Sequence, residues 1–384
     1  MRSSLRRVSL RNKDMTNVLF ITDNWSKRGL EKANYVIAQA VQTESRKTSI
    51  YTMGKMENHF PASDMDLEMY GNSLLNRKLY IYGTALSAKY KANFFVDLFI
   101  KWQVKKIIKQ AEQSNSKTLV FSGYSVELIP EIKNKYGTKY KTIAWVHSST
   151  KFYTEGFRRK YNYPWVINGF SYADEVVVLT EQDQQDMLPI NQNCTKIYNP
   201  VTMNFYEKSS LESKNISFVG RLGEVEVKGL DYLVDIAKQL PENWKITVAG
   251  GGDLQAFNEL IKKSHTEDKI QYCGELSGKD LEQHYLDSSI YMMTSRKEGL
   301  PLVLIEAMGA GLPIIAFEQS GSYEILSNGE TGILIEQGDI EGFAQELLKL
   351  INSASLRKEY QEKSLRRVDD FSLPPIVHKW SKVL

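Results

Sequence analysis

The shortages in this 384-residue chain exclude whole classes of protein. It has two cysteines, Cys194 and Cys273. That is too few for a disulfide framework and fits a reducing compartment. No apolar run reaches the ~18 residues that a spanning helix requires. The dinucleotide fingerprint G-x-G-x-x-G is missing after the first apolar run. Excess charge of one sign is scarce as well: 49 Lys and Arg stand against 46 Asp and Glu, a formal +3. That excess sits in residues 1–15, where Arg2, Arg6, Arg7, Arg11 and Lys13 face only Asp14, leaving the remainder at −1. The body therefore has no nucleic-acid charge signature, and no nucleic-acid partner is expected. The leader lacks the apolar centre of a signal peptide. Its Arg/Ser character fits a transit peptide or, in our preferred reading, an upstream extension with Met15 close to the natural start.

What is present is a repeated alternation. Short apolar runs read as buried strands at Asn17–Thr22, Thr48–Met53, Leu79–Tyr82, Thr118–Phe121, Thr142–Val146, Glu175–Leu179 and Lys196–Asn199. Helical stretches lie between several of them, as a parallel sheet demands. The polar stretch Asn204–Lys214 reads as a linker. A second unit then opens at Ile216–Arg221 and continues through Ile246–Asp253, Ile270–Gly274 and Ile290–Met293. The expectation is an α/β protein of two Rossmann-like, doubly wound domains, a size that 384 residues readily supply. The divisions are a leader at 1–15, a first domain at 16–203, a linker at 204–214, a second domain at 215–365 and a terminal segment at 366–384.

The most informative stretch is Ser295–Phe317, SRKEGLPLVLIEAMGAGLPIIAF. It follows one buried strand and ends in another, with a helix from Leu302 to Ala310 between them. Pro301 suits the first helical position, where its missing N–H is no loss. The helix start offers unpaired backbone N–H groups and the positive end of the dipole, which suit a phosphate. Gly299 lets the backbone approach such a ligand. Glu306 lies one turn down the helix, roughly 6 Å from Leu302 at 1.5 Å per residue. It is placed to accept from the hydroxyls of a ribose, and Glu298 to accept from hydroxyls on the far side of the phosphates. A diphosphate between two polyols is a nucleotide sugar.

Two glutamates eight apart, inside EGLPLVLIEAMGAGLPII, resemble the E-x7-E signature of the retaining glycosyltransferases of family 4, a GT-B group. The resemblance covers Asn17–Leu384 and is most specific in the second half. It implies a GT-B fold with two Rossmann-like domains facing a central cleft, and a last helix, through Trp380, that crosses back to the first domain. Arg221, ending a strand, and Lys228, expected at a helix start, resemble the family's G-R-L…K-G pair, with a longer intervening loop that we expect to bulge. Two fixed cations there would offset charge on a leaving diphosphate. Arg28-Gly29-Leu30-Glu31 matches three of four positions of the family's G-G-x-E loop; Gly29 would approach the donor phosphates, and Arg28 replaces the first glycine. His147 ends a strand where the family's histidine faces the donor sugar; an ordinary hydrogen-bonding histidine is the alternative. The glycines of Gly250-Gly251-Gly252 require only a turn, and the loop from Glu275 to Gly278 would border the nucleotide base.

The implied activity is retaining, metal-independent transfer of a hexose or N-acetylhexosamine from a nucleotide sugar to a glycan, lipid-linked or polymer acceptor. The implied setting is cell-surface polysaccharide or glycoconjugate synthesis. UDP-sugars lead and GDP-mannose follows, no residue deciding the base. The catalytic set is His147, Glu298, Arg221 and Lys228. The donor set adds Gly29, Gly299, Leu300, Leu302 and Glu306. No metal and no cofactor is implied. The rivals are a non-catalytic nucleotide-sugar-binding partner subunit, a GT-B phosphorylase carrying pyridoxal phosphate, and a metal-dependent transferase using Asp64 and Asp66 of D-x-D. Lys89–Gln110 pairs Phe94, Phe95, Leu98, Phe99 and Trp102 with Lys101, Lys105, Lys106 and Lys109. It reads as a crossover helix with a basic edge, or as an interfacial helix on anionic lipid. The segment KFYTEGFRRKYNYPW suits an acceptor glycan or lipid headgroup. Cytoplasmic placement is the expected location, with peripheral contact at the inner membrane face as the alternative that an interfacial helix would bring; the oligomeric state stays open.

Overall fold

The computed structural model of the chain describes residues 17–23, 25, 29–54, 68–71, 94–154, 163–203 and 205–384. The leader, Arg28, Asp64, Asp66, the expected strand Leu79–Tyr82 and most of the segment after Thr154 lie outside the described residues.

Two parallel sheets carry the fold. The first joins β1 (Asn17–Thr22), β2 (Thr48–Thr52), β3 (Glu68–Gly71), β4 (Ser116–Ser122), β5 (Lys141–Trp145), β6 (Glu175–Val178) and β7 (Cys194–Lys196) in the order β3-β2-β1-β4-β5-β6-β7. The second joins β8 (Asn215–Val219), β9 (Lys245–Ala249), β10 (Ile270–Gly274), β11 (Ile290–Met293), β12 (Ile314–Phe317) and β13 (Ile333–Ile335) in the order β10-β9-β8-β11-β12-β13. Every strand pairing in these two sheets is parallel among the described residues. Such sheets are covered by helices on both faces, which is why Val18–Ile21 and Ile290–Met292 are wholly buried. Strand order reverses between β1 and β4, and again between β8 and β11. In an open parallel sheet these are the places where a crevice forms beyond the carboxyl ends of the strands.

Several expectations move. The last strand of the first sheet is Cys194–Lys196, not Lys196–Asn199: Val176–Val178 pair with Cys194–Lys196, and the ladder ends with the Ile197 N–H bond to the Val178 carbonyl. β3 and β13 escape periodicity because strands of four and three residues hold too few alternations to stand out. Pro301 sits one place earlier than expected, as the extended N-cap at φ −69°, ψ 105°, and the helix runs Leu302–Gly309. Lys228 ends a short helix, Val225–Lys228, that takes up the longer loop; the next helix, Leu230–Ala237, begins after the left-handed Gly229.

The stretch 205–214 is no free tether. Ser209 donates to the Ser288 carbonyl and accepts, through its own carbonyl, from Gln361 at 2.8 Å. Leu211 is buried, and Phe205 faces Gly309, where a Cβ would lie 2.8 Å from the ring. The chain end also reaches across. Trp380, on the helix Leu373–Val383, is fully buried against Trp145 at 4.6 Å and Phe20 at 6.4 Å, ring centroid to centroid, both in the first sheet.

The crossover helix spans Phe94–Gln113. Val96, Ile100, Val104, Ile107 and Ala111 bury one face, while Leu98, Lys101, Trp102, Lys105 and Lys109 are exposed on the other. No helix among the described residues is long and apolar enough to cross a membrane.

Candidate active site between the two sheets

The carboxyl ends of both sheets open into one cavity of about 2070 Å³. Asp23, Gly123 and His147 follow β1, β4 and β5; Arg221, Gly250 and Gly251 follow β8 and β9; Glu298 to Val303 follow β11. Gly29, Arg221, Lys228, Glu298, Gly299, Leu300, Leu302 and His147 all line it, so eight of the nine singled-out residues share one space.

Glycine is required where the walls meet. A Cβ on Gly299 would lie 2.2 Å from the His147 carbonyl oxygen, and one on Gly321 would lie 2.3 Å from the Gly299 oxygen. The loop Glu298–Pro301 is thus pressed between the first sheet and the helix Ser320–Ile325. On the other side, a Cβ on Gly29 would meet the Leu302 side chain at 3.3 Å. The first turn of the Leu302–Gly309 helix lies at the cavity wall, which Leu302 and Val303 line, and a helix start carries N–H groups without intrahelical partners.

The two cations are both present and both engaged. Lys228 Nζ bonds Glu298 Oε1 at 2.5 Å, and both side chains are mostly buried. Arg221 is half exposed and pairs with Glu224 at 2.7 Å. Sequence reasoning treated Glu298 and Lys228 as separate tools, whereas they form a pair. Arg296 supplies a brace that sequence reasoning missed. Its guanidinium forks onto Asp231 at 2.8 and 2.5 Å, donates to the Glu226 carbonyl at 2.7 Å and lies 3.6 Å over the Tyr232 ring. The Asp231 bonds push its pKa further up, so it stays a cation; the Arg296 bonds to the Glu226 and Val227 carbonyls and the Thr294 bond to the Lys228 carbonyl clamp Val225–Gly229 onto the 294–297 loop.

Glu306 sits behind the cavity wall. It is 4% exposed and is not among the lining residues. Oε1 accepts from Lys32 at 2.9 Å and Thr202 at 2.7 Å, and Oε2 accepts from Tyr285 at 3.1 Å. Burial, then the charge of Glu306, push the Tyr285 phenol well up, so it remains a donor. In this arrangement the carboxylate acts as an anchor between these three side chains. Lys32 comes from the first unit, so the anchor ties the two walls together. No sequence pattern announced Lys32, Thr202 or Tyr285 as its partners, because they are 274, 104 and 21 residues away in sequence.

His147 lies with its ring 4.3 Å from that of Trp145. The residue is partly exposed at the cavity wall, and burial pulls its pKa down to about 3. It is a neutral imidazole near pH 7. A second joint lies at Glu324, which accepts from Lys196 at 2.8 Å, Tyr198 at 2.5 Å and the Glu181 N–H at 2.9 Å, all from the first unit.

Residues 204–367 match the model of the family described as glycosyl transferases group 1. Along nearly its whole length the chain is similar to an uncharacterized glycosyltransferase of Haemophilus influenzae, 28% identical over 375 residues, covering 95% of this chain and 98% of the relative. The chain is a GT-B glycosyltransferase. This glycosyltransferase is also 25% identical over 387 residues, 96% of it and 98% of the relative, to an α-1,4-N-acetyl-D-galactosaminyltransferase of Campylobacter jejuni whose name gives an undecaprenol-diphosphate-linked acceptor. Among solved structures, Anabaena HepE in complex with UDP and glucose superimposes with a TM-score of 0.76 at 15% identity, covering 96% of this chain and 98% of that one.

Proposed function

We propose that this glycosyltransferase works with retention and without a metal. It moves a hexose or N-acetylhexosamine from a nucleotide sugar, UDP-linked in first preference, to a glycan, lipid-linked or polymer acceptor in cell-surface polysaccharide or glycoconjugate synthesis. The observation that carries this reading is the meeting of Lys228, Arg221, Glu298 and the free helix start at Leu302 on one cavity wall. The UDP and glucose held by HepE and the lipid-diphosphate acceptor named for the Campylobacter relative support the choice of substrates.

The steps follow from charge. A donor diphosphate settling on the Leu302–Val303 amides draws Lys228 from Glu298, since a phosphate offers it more negative charge than a carboxylate. Glu298 is then released to accept from a hydroxyl of the transferred sugar. As the glycosidic bond to phosphate breaks, Lys228 and Arg221 stabilise the charge on the leaving group. The acceptor hydroxyl attacks from the same face and passes its proton to the departing phosphate oxygen, so the configuration is kept and no enzymic nucleophile is needed. Neutral His147 orients the sugar. The exposed face of the Phe94–Gln113 helix, with Leu98 and Trp102 among lysines, supports peripheral contact with an anionic inner membrane face.

Purified protein tested against UDP-, GDP-, ADP- and TDP-sugars in a thermal-shift panel identifies the donor. Hydrolysis of that donor, followed with and without EDTA, should be unchanged by the chelator and at least tenfold slower in Glu298→Ala. Loss of activity in EDTA, or a product with inverted anomeric configuration, would overturn the reading.

A further inference from the structure

Asn34 belongs to no motif, yet it is 1% exposed on the apolar face of the helix Gly29–Ala40. A buried amide without partners is costly, so its partners say what it is for. Its Nδ2 lies 2.9 Å from the Leu30 carbonyl oxygen, and its Oδ1 lies 3.0 Å from Ser122 Oγ at the end of β4. A carbonyl only accepts, so the atom facing Leu30 must be the amide nitrogen; the orientation of the side chain follows from chemistry alone. The same nitrogen lies 3.4 Å from Nε2 of His147.

We infer that Asn34 is a positioning residue that fixes His147 as the tautomer protonated on Nδ1. An N–H donor facing Nε2 needs a lone pair there, and a neutral imidazole carries its one proton on the other nitrogen. Trp145 packs against the ring at 4.3 Å, and burial lowers the His147 pKa, which keeps the ring neutral. Ser122, Asn34 and His147 thus form a relay across β4, the first helix and β5, with the amide as its directional element. Its consequence for transfer rests on the function proposed above. His147 then serves the sugar as a fixed hydrogen-bond donor from Nδ1, and the proton of the acceptor hydroxyl has to go to phosphate. The arrangement costs no rearrangement during turnover, since the ring is already in the required form.

The test uses full-length protein labelled with ¹⁵N in histidine, with long-range ¹H–¹⁵N correlation spectra at pH 7.5. The His147 signal is assigned by its loss in His147→Gln. The wild type should show a neutral ring protonated at Nδ1. Asn34→Asp keeps the shape but offers Nε2 an acceptor, so His147 should move to the Nε2–H or doubly protonated form, and kcat should fall at least tenfold. UDP affinity, read by calorimetry, should stay within threefold. Asn34→Ala covers the case in which Asn34→Asp does not fold, and it should give a mixture of tautomers with the same loss in kcat. A wild-type ring protonated at Nε2 would overturn the inference, as would a tautomer unchanged in both variants or one that changes without any effect on kcat. The spectra need no substrate. A protein with the expected tautomer but no transfer from any nucleotide sugar would therefore sink the proposed function and not the tautomer assignment.

Discussion

Glu298 and Glu306 sit in one motif, eight residues apart, and the fold treats them in opposite ways. Glu298 lies in a loop on the cavity wall with Lys228 as its ion-pair partner. Glu306 lies one helical turn into the protein with its oxygens facing three donors, two of them, Lys32 and Thr202, from the other unit. One carboxylate is available for exchange with an incoming ligand; the other joins two walls. A shared motif therefore does not mean a shared environment. A loop at a strand end faces the crevice, while a residue one turn later on an apolar helix faces the core.

The largest test of this contrast is to move the loop that carries Glu298. Gly299→Val puts a side chain where a Cβ alone would lie 2.2 Å from the His147 oxygen. The loop must retreat, and a displacement of about 1 Å costs on the order of 100-fold or more in kcat; steady-state transfer measures it, with circular dichroism confirming the fold. Next comes the exchangeable pair. Lys228→Met should lower kcat by roughly 10²–10³-fold, the usual cost of removing a transition-state charge partner. Lys32→Met, at the buried carboxylate, should instead leave kcat within a fewfold. It should lower the unfolding free energy by about 1–3 kcal/mol, because the remaining charge of Glu306 loses its cation while Lys32 itself is partly solvent-screened. If Lys32→Met abolished transfer without touching stability, Glu306 would belong with Glu298 after all.

A further effect, of similar size, is in pH. Burial lowers the His284 pKa from 6.5 to about 4 and the His147 pKa to about 3. Both are below their unfolded values, so the unfolded chain takes up the extra protons first. Their contribution is complete above about pH 6.5 and is lost as pH falls toward 4 and 3. His284, buried and bonded to Ser217 at 2.9 Å, should account for about 2 kcal/mol of the fall between pH 7 and pH 5. Urea titrations at the two pH values, repeated on His284→Gln, would show a correspondingly smaller fall in the variant.

Much of this was legible in advance, for identifiable reasons. The buried strands of the doubly wound units read clearly because parallel strands covered on both faces become continuous apolar runs, as at Ile290–Met293. The cavity-lining loop read clearly because a glycine before a helix start between two such strands has few structural uses. Asn34 offered one unused signal, a polar residue on the buried stripe of a helix. Lys32, Thr202 and Tyr285 offered none, because being one of many lysines, threonines or tyrosines carries no address.

The amino-acid order alone determined the two-unit parallel architecture, the helix start flanked by Gly299 and Leu302, and the presence of Arg221, Lys228, Glu298 and His147, since these depend on local spacing and on which side chains prefer burial. Only the tertiary structure decided which charges face one another. It paired Lys228 with Glu298, withdrew Glu306 behind Lys32, and set Asn34 against His147. The physical reason is range. Periodicity acts over a few residues, whereas an ion pair or a directed amide depends on contacts between segments brought together by the packing of whole sheets.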